Sequence, residues 1–243
     1  MTDKRVALVI GAGDATGSAI ARRFSREGFT VCVTRRTVEK LQPLLAEIRA
    51  SGGEAHGFGS DARREEQVIE LVASIERDIG PIEVLVFNVG GNVRFGIRET
   101  TTRVYTKVWE MCALSGFLIG REVARVMVPR GRGTMLFTGA TAGMRGGVGY
   151  AAFAGGKHAL RALAQSMARE LGPEGIHVAH IVIDGGIDTA FVRDRRGADF
   201  DALKEQGGIL DPDAIAENYW NLHAQSRTAW THEMDLRPWI EKW

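Results

Sequence analysis

Residues 9–20, VIGAGDATGSAI, decide the fold because they join an apolar run to an amphipathic run through a glycine-rich turn. A short apolar run that breaks into glycines predicts a buried strand, and the run after it predicts a helix that stops at Gly28. Glycines let the backbone approach a pyrophosphate, and free N–H groups at the start of a helix favour that anion. The stretch predicts a dinucleotide-binding turn, with a turn needed only for packing as the alternative. Its residues are Gly11, Gly13, Ala15, Thr16 and Gly17.

The rest of the chain repeats this alternation of short apolar and longer amphipathic runs. Strands are predicted within residues 5–13, 29–36, 54–61, 82–91, 133–141, 176–186 and 229–238. Helices are predicted within residues 17–28, 38–53, 64–80, 104–131, 152–175 and 211–226. Such alternation indicates βαβ units with right-handed crossovers. We therefore predict an α/β fold: one domain over residues 1–243, with a doubly wound, Rossmann-type parallel sheet of seven strands and helices on both faces.

One long segment, residues 189–208, has only weak periodicity. It follows the predicted sixth strand, at the edge where doubly wound sheets bind ligands. We predict that it forms a mobile flap over a small-molecule substrate, and a surface loop is the alternative.

Composition excludes several classes of protein. The formal net charge of +1 favours neither a nucleic-acid partner nor a membrane partner. No apolar run approaches 18 residues, which predicts a cytoplasmic protein. The two cysteines, Cys32 and Cys112, lie far apart in apolar runs, so we interpret them as packing residues and predict no disulfide and no metal site.

The glycine spacing resembles the G-x-x-x-G-x-G loop of the short-chain dehydrogenase/reductase family, with Ala15 in place of the middle glycine. The order of the seven predicted strands is similar too. Other matching features are Asp61 after the third strand, NVGG at 88–91, Lys157 of the family's Y-x-x-x-K, and DGGIDT at 184–189.

This resemblance implies roles for individual residues around a nicotinamide dinucleotide. Gly11 and Gly17 would hold the pyrophosphate, Asp61 would reach the adenine ring, Asn88 and Gly90 would lie along the adenosine, Thr189 would lie near the nicotinamide amide, and Lys157 would grip the nicotinamide ribose.

The end of the second predicted strand indicates which nicotinamide cofactor is bound. An acidic residue there suits a ribose 2′-hydroxyl, whereas a basic residue suits a 2′-phosphate. Arg35 and Arg36 occupy this place, so we predict NADP(H) over NAD(H). Asp14 opposes this prediction, because its carboxylate could pair with Arg36 and weaken a phosphate site.

The resemblance also implies four catalytic positions, of which only Lys157 holds the family's residue. Phe153 stands four residues before it, where the family has a tyrosine that moves the proton. Ala140, 13 residues earlier, stands for the family's serine, and Ala113 for its helix asparagine. Tyr150 is the candidate substitute at the entrance of the same helix, with an ordinary loop aromatic as the alternative.

These features predict an NADP(H)-dependent oxidoreductase that works without the usual tyrosine acid. Its substrate would be an iminium ion, an enone, a quinone or an activated carbonyl, because the cofactor then supplies the difficult chemistry. The alternatives are an inactive dinucleotide-binding pseudoenzyme and a lyase or isomerase on the same scaffold. The resemblance further implies a homodimer or homotetramer, with contacts through the long helices at 104–128 and 153–171.

Overall fold

The computed structural model describes residues 4–242. The strands in this range are β1 Val6–Ile10, β2 Thr30–Arg35, β3 Ala55–Gly59, β4 Ile82–Phe87, β5 Gly133–Thr138, β6 Ile176–Ile183 and β7 Glu233–Leu236. The α-helices are α1 Thr16–Arg26, α2 Gln42–Ala50, α3 Glu65–Asp78, α4 Thr102–Trp109, α5 Ser115–Met127, α6 Ala151–Leu171, α7 Ala190–Arg196, α8 Asp199–Glu205 and α9 Pro212–His223.

The seven strands form one parallel sheet in the order β3-β2-β1-β4-β5-β6-β7. Every residue of β1 and β6 is buried, which explains why these strands are almost continuously apolar in the sequence. Helices α1, α2 and α9 pack on one face, and α3, α5 and α6 pack on the other. The predicted doubly wound fold is confirmed.

The helix predicted over residues 104–131 is interrupted. A five-residue π-helical segment, Glu110–Leu114, separates α4 from α5. The Ser115 hydroxyl donates a hydrogen bond to the Glu110 carbonyl at 2.8 Å, five residues back. A π-helical insertion of this kind frequently lies beside a functional site.

The segment at residues 189–208 is more regular than predicted, because it folds into the two short helices α7 and α8. Phe200 of α8 is fully buried, and the Arg193 guanidinium lies 4.1 Å from the centroid of its ring. Lys204 of α8 donates to the Asp188 carboxylate at 2.6 Å, which ties the segment to the end of β6. Its motion as a flap stays a prediction.

Both cysteines are free and fully buried, as predicted. Burial raises the pKa of the Cys32 thiol to about 12. Across residues 4–242, no helix is both long enough and apolar enough to span a membrane. The same residues contain no group of three or more His, Cys, Asp or Glu side chains placed to hold a metal ion.

Candidate cofactor and substrate site

The glycine turn after β1 needs glycine at two positions for packing. Gly11 has a φ of +85°, and a Cβ atom there would lie 2.5 Å from the Asn88 carbonyl oxygen. A Cβ atom on Gly17 would lie 2.5 Å from the Gly11 carbonyl oxygen. Gly13 is different, because nothing lies within 4 Å of a Cβ built there. The turn therefore presents open space beside Gly13, where a ligand can approach the backbone.

The start of α1 has no side chain that satisfies its free N–H groups. Ala15 occupies the N-cap position and provides no side-chain hydrogen bond, and Thr16 begins the helix. The first turn contains no acidic residue. These N–H groups and the positive end of the helix dipole can therefore bind an anion.

A cavity of about 380 Å³ lies beside this turn, and we call it the β1–β2 cavity. Its walls include Gly11, Gly13, Thr34, Arg35, Arg36, Ser60, Asp61, Asn88 and Gly90. The Asn88 amide donates to the Gly11 carbonyl at 3.1 Å, which joins the end of β4 to the turn. The structure thus brings seven of the predicted cofactor-binding residues together in the wall of one cavity.

Two polar side chains on the β3 side of this cavity differ in their partners. Ser60 Oγ is buried and has no hydrogen-bond partner among the described residues. Asp61 accepts two hydrogen bonds from the Arg63 guanidinium, at 2.9 and 2.6 Å, which lower the pKa of its carboxyl. Sequence reasoning missed Ser60, although its place directly after an apolar strand and before Asp61 was a usable signal.

The two arginines at the end of β2 are not equivalent. Arg35 donates to the Asp14 carboxylate, with Nη1 and Oδ1 2.7 Å apart. The expectation that Asp14 pairs with Arg36 is therefore wrong, because the side chain of Arg35 is the one that reaches back to the turn. Arg36 is exposed, lines the β1–β2 cavity and lowers the pKa of Asp61 by its charge.

A second cavity of about 480 Å³ adjoins the first, and we call it the α6 cavity. Both cavities are lined by Asn88, Val89 and Gly90. Lys157 of α6 is buried at the wall of the second cavity, and burial lowers its pKa. Its Nζ donates to the Thr138 carbonyl at 2.7 Å and to the Val89 carbonyl at 3.1 Å. Two of its three hydrogens are therefore used, and one remains to bind a ligand.

The wall of the α6 cavity beside Lys157 is apolar where a proton donor would be useful. The centroid of the Phe153 ring lies 6.0 Å from Lys157 Nζ, and Ala140 lines the same cavity. Ala113 is buried inside the π-helical segment. None of these three side chains can donate or accept a proton.

Two other hydroxyl groups at this cavity already have one hydrogen-bond partner each. The Tyr150 hydroxyl accepts a hydrogen bond from Arg195 at the cavity wall. Thr141 also lines the cavity, and its hydroxyl donates to the buried carboxylate of Asp184, a pair that sequence reasoning missed. Thr189 lies outside the walls of both cavities and caps α7 by accepting from the Val192 N–H.

This fold and these paired cavities at the carboxyl ends of the strands define a class of ligand-binding α/β proteins. The family is more specific. The model of the short chain dehydrogenase family matches residues 5–199, and the chain belongs to that family as an oxidoreductase.

Individual relatives agree with this assignment. The chain is similar to the short-chain reductase protein NovJ of Streptomyces niveus, with 31% identity over 231 residues that cover 89% of this chain and 86% of that protein. It is also similar to the crystal structure of a short-chain dehydrogenase from Rhodopseudomonas palustris, with 47% identity, a TM-score of 0.82 and coverage of 98% and 100%. A structure of an actinorhodin polyketide ketoreductase with NADPH gives a TM-score of 0.88 at 27% identity, covering 98% and 97% of the two chains.

Proposed function

We propose that the protein is an NADP(H)-dependent oxidoreductase that transfers a hydride to or from a small, activated substrate. The observation that carries the proposal is the junction of the two cavities, where Lys157 has one hydrogen left beside the apolar wall of Phe153. The similarity to a ketoreductase solved with NADPH supports the choice of cofactor.

The residues present fit a phosphorylated dinucleotide. Nothing lies within 4 Å of a Cβ built on Gly13 or Gly90, so both positions leave room for a ligand. The partnerless Ser60 hydroxyl offers a buried hydrogen bond, and Arg36 offers an exposed guanidinium for a 2′-phosphate. When bound, NADPH supplies the hydride.

We assign the remaining positions by their places around the two cavities. The turn and the start of α1 would hold the pyrophosphate, Asp61 and Asn88 the adenosine half, and Lys157 the nicotinamide ribose. Thr189 lies outside both cavities, and its hydroxyl caps α7. It would reach its proposed place near the nicotinamide amide only if α7 moved towards the cavity.

The substrate class follows from the missing proton donor. Positioned acid–base catalysis contributes about 10²–10⁴-fold, and neither Phe153 nor Ala140 can provide it. An unactivated ketone would lose this factor. An iminium ion, an enone, a quinone or an activated carbonyl is already electron-poor, so orientation by the chain is sufficient.

The test combines binding and turnover. NADPH and NADH are titrated into the protein by fluorescence, and NADPH oxidation is then followed with a cyclic iminium ion, a quinone, an enone and an unactivated ketone. We expect NADPH to bind about tenfold more tightly than NADH. We expect an electron-poor acceptor to react about 100-fold faster than the ketone.

The alternatives give different results in the same experiment. Three positions without proton chemistry, Phe153, Ala140 and Ala113, also fit an inactive pseudoenzyme, which would bind NADPH and reduce none of the acceptors. A lyase or isomerase that has no use for the cofactor would bind neither dinucleotide.

We further propose that the protein forms a homodimer or homotetramer through α4, α5 and α6. Three large aromatic side chains on α4 and α5, Tyr105, Trp109 and Phe117, are at least 40% exposed. Exposed aromatic surface of this kind is typical of subunit contacts. Light scattering should give two or four times the 26.5 kDa chain mass, and the mass of a single chain would contradict the proposal.

A further inference from the structure

Three arginines lie at the rim of the α6 cavity, two of them beside the ring of Tyr150. Arg145 lines the cavity beside Tyr150. Arg195 donates from Nη2 to the Tyr150 hydroxyl, and its guanidinium lies 5.8 Å from the centroid of that ring. Arg94 lies at the same distance from the centroid. We call these four residues the arginine rim.

Salt bridges within residues 4–242 leave the positive charge of the arginine rim unpaired. Arg94, Arg145 and Arg195 are all exposed, and none of them forms a salt bridge there. Of the nearby carboxylates, Asp188 pairs with Lys204 at 2.6 Å and Asp201 pairs with Arg193 at 2.7 Å. The exposed Asp194 adjoins Arg195 on α7 and forms no salt bridge within residues 4–242, so one negative charge faces three positive ones. The first turn of α6, which begins after Tyr150, contains no acidic residue.

This surplus is local, because the whole chain is nearly balanced at 31 basic and 30 acidic residues. Like charges at one cavity mouth repel each other unless an anion lies between them. A concave site with charges of one sign attracts ligands of the opposite sign. The arginine rim therefore favours a negatively charged ligand at the mouth of the cavity.

Tyr150 adds a hydrogen-bond donor to this site. Its oxygen accepts from Arg195, so its own hydroxyl hydrogen remains available for a second partner. A planar carboxylate can accept from a guanidinium fork and from a phenol together.

We propose that the arginine rim binds a carboxylate group of the substrate, with Arg195, Arg145 and Tyr150 as its ligands. The inference rests on the proposed function and makes it more specific: the hydride acceptor and a carboxylate belong to one small molecule. Tyr150 lies three residues before Phe153, about one helical turn or ~5 Å along the axis. Tyr150 thus positions the substrate and does not replace the missing acid.

The test measures binding, so it does not depend on turnover. Benzoate and the neutral, similarly shaped benzamide are titrated into the NADPH complex by calorimetry, and into the free protein as well. We expect benzoate to bind about tenfold more tightly than benzamide. Arg195→Met and Arg145→Met should each weaken benzoate by about tenfold and leave benzamide and NADPH binding unchanged.

Arg193→Met is the matched control, because Arg193 is exposed, lies two residues from Arg195 and pairs with Asp201. It should bind benzoate like the unaltered protein. Tyr150→Phe should weaken benzoate by about threefold to tenfold, since it removes one donor.

Equal affinities for benzoate and benzamide would overturn the inference, and so would unchanged benzoate binding in both arginine variants. The inference would also be overturned if adenosine 3′,5′-bisphosphate bound more tightly than benzoate and lost this affinity in the Arg195→Met and Arg145→Met variants. That result would assign the arginine rim to a phosphate group. Failure of NADPH to bind would contradict the proposed function alone. The titrations of benzoate and benzamide into the free protein would still test the arginine rim.

Discussion

Phe153 is the residue on which the proposed chemistry depends most directly. Its ring lies beside the ammonium group of Lys157, whose charge would lower the pKa of a phenol placed there. Phe153→Tyr combined with Ala140→Ser should raise kcat/KM for an unactivated ketone by about tenfold to 100-fold. The measurement is NADPH oxidation at saturating cofactor.

Phe117→Tyr serves as the control for adding a phenol, because Phe117 is exposed on α5 and lines neither cavity. It should leave ketone reduction unchanged. If the double variant binds NADPH normally and still reduces no ketone, the cavity does not hold a carbonyl at this place, and the interpretation of Phe153 is wrong.

Asp14 is the residue that limits the phosphate site. Its carboxylate holds the Arg35 guanidinium at 2.7 Å and adds negative charge beside the proposed 2′-phosphate. Asp14→Asn should therefore strengthen NADPH binding by about threefold to fivefold, the range of an exposed ion pair, and leave NADH binding unchanged. Fluorescence titration measures both constants.

The comparison variant is Asp213→Asn, which removes an exposed carboxylate paired with Arg22. It should change neither constant. Weaker NADPH binding after Asp14→Asn would mean that the Asp14–Arg35 pair shapes the site and does not compete with the phosphate.

At the level of single residues, the sequence predicts residue types at the site better than their partners. It places Arg35, Arg36 and Asp14 near one another because each follows a strand end or lies in the turn. It cannot tell which guanidinium reaches Asp14, because that depends on side-chain directions in three dimensions. The bond between Thr141 and Asp184 is hidden for the same reason, since 43 residues separate its partners.

Among the elements, the interrupted helix α4–α5 gives a stability prediction. Ser115 is fully buried, and its hydroxyl donates a second hydrogen bond to the Glu110 carbonyl, which already accepts from the Ser115 backbone N–H. Ser115→Ala should reduce the free energy of unfolding by about 0.5–1.5 kcal/mol, the net contribution of one hydrogen bond, because the backbone N–H of residue 115 still satisfies the carbonyl. Urea denaturation measures the change.

Ser166→Ala is the appropriate control, because Ser166 lies exposed on α6. It should change stability by less than about 0.5 kcal/mol. A Ser115→Ala variant as stable as the control would show that the hydroxyl adds nothing to the bond that the backbone N–H of residue 115 already makes with the Glu110 carbonyl.

The elements differ in how far periodicity predicts them. Helices α1, α3 and α6 have long amphipathic patterns; α3 lies within its predicted range, and α1 and α6 each begin one residue before theirs. The π-helical segment cannot be predicted from the sequence, because a single turn with a different hydrogen-bond pattern shifts the apolar stripe of the helix only slightly. Helices α7 and α8 have seven residues each, too few for a clear stripe.

For the whole molecule, the alternation of strands and helices was sufficient to predict a parallel sheet covered by helices on both faces. This works because parallel strands need crossover helices and because crossovers have one hand. The motion of the 189–208 segment and the association of subunits depend on contacts between separate parts of the molecule or between molecules. Local sequence patterns do not report the free energies of such contacts.

The whole molecule should lose stability in acid because it buries neutral histidines. Burial lowers the pKa of His180 and of His223 to about 4 each. In the unfolded chain both take up protons near their ordinary pKa of about 6.5, so the unfolded state binds more protons between these values. The free energy of unfolding should therefore fall as the pH drops from about 6.5 to about 4, by up to ~1.4 kcal/mol per pH unit for each histidine. Urea denaturation across this range measures the slope.

His223→Gln should reduce the slope by about half of the two-histidine contribution, whereas His158→Gln, which changes an exposed side chain, should leave it unaltered. An unchanged slope in His223→Gln would mean that His223 is already protonated in the folded protein or that other groups control acid unfolding.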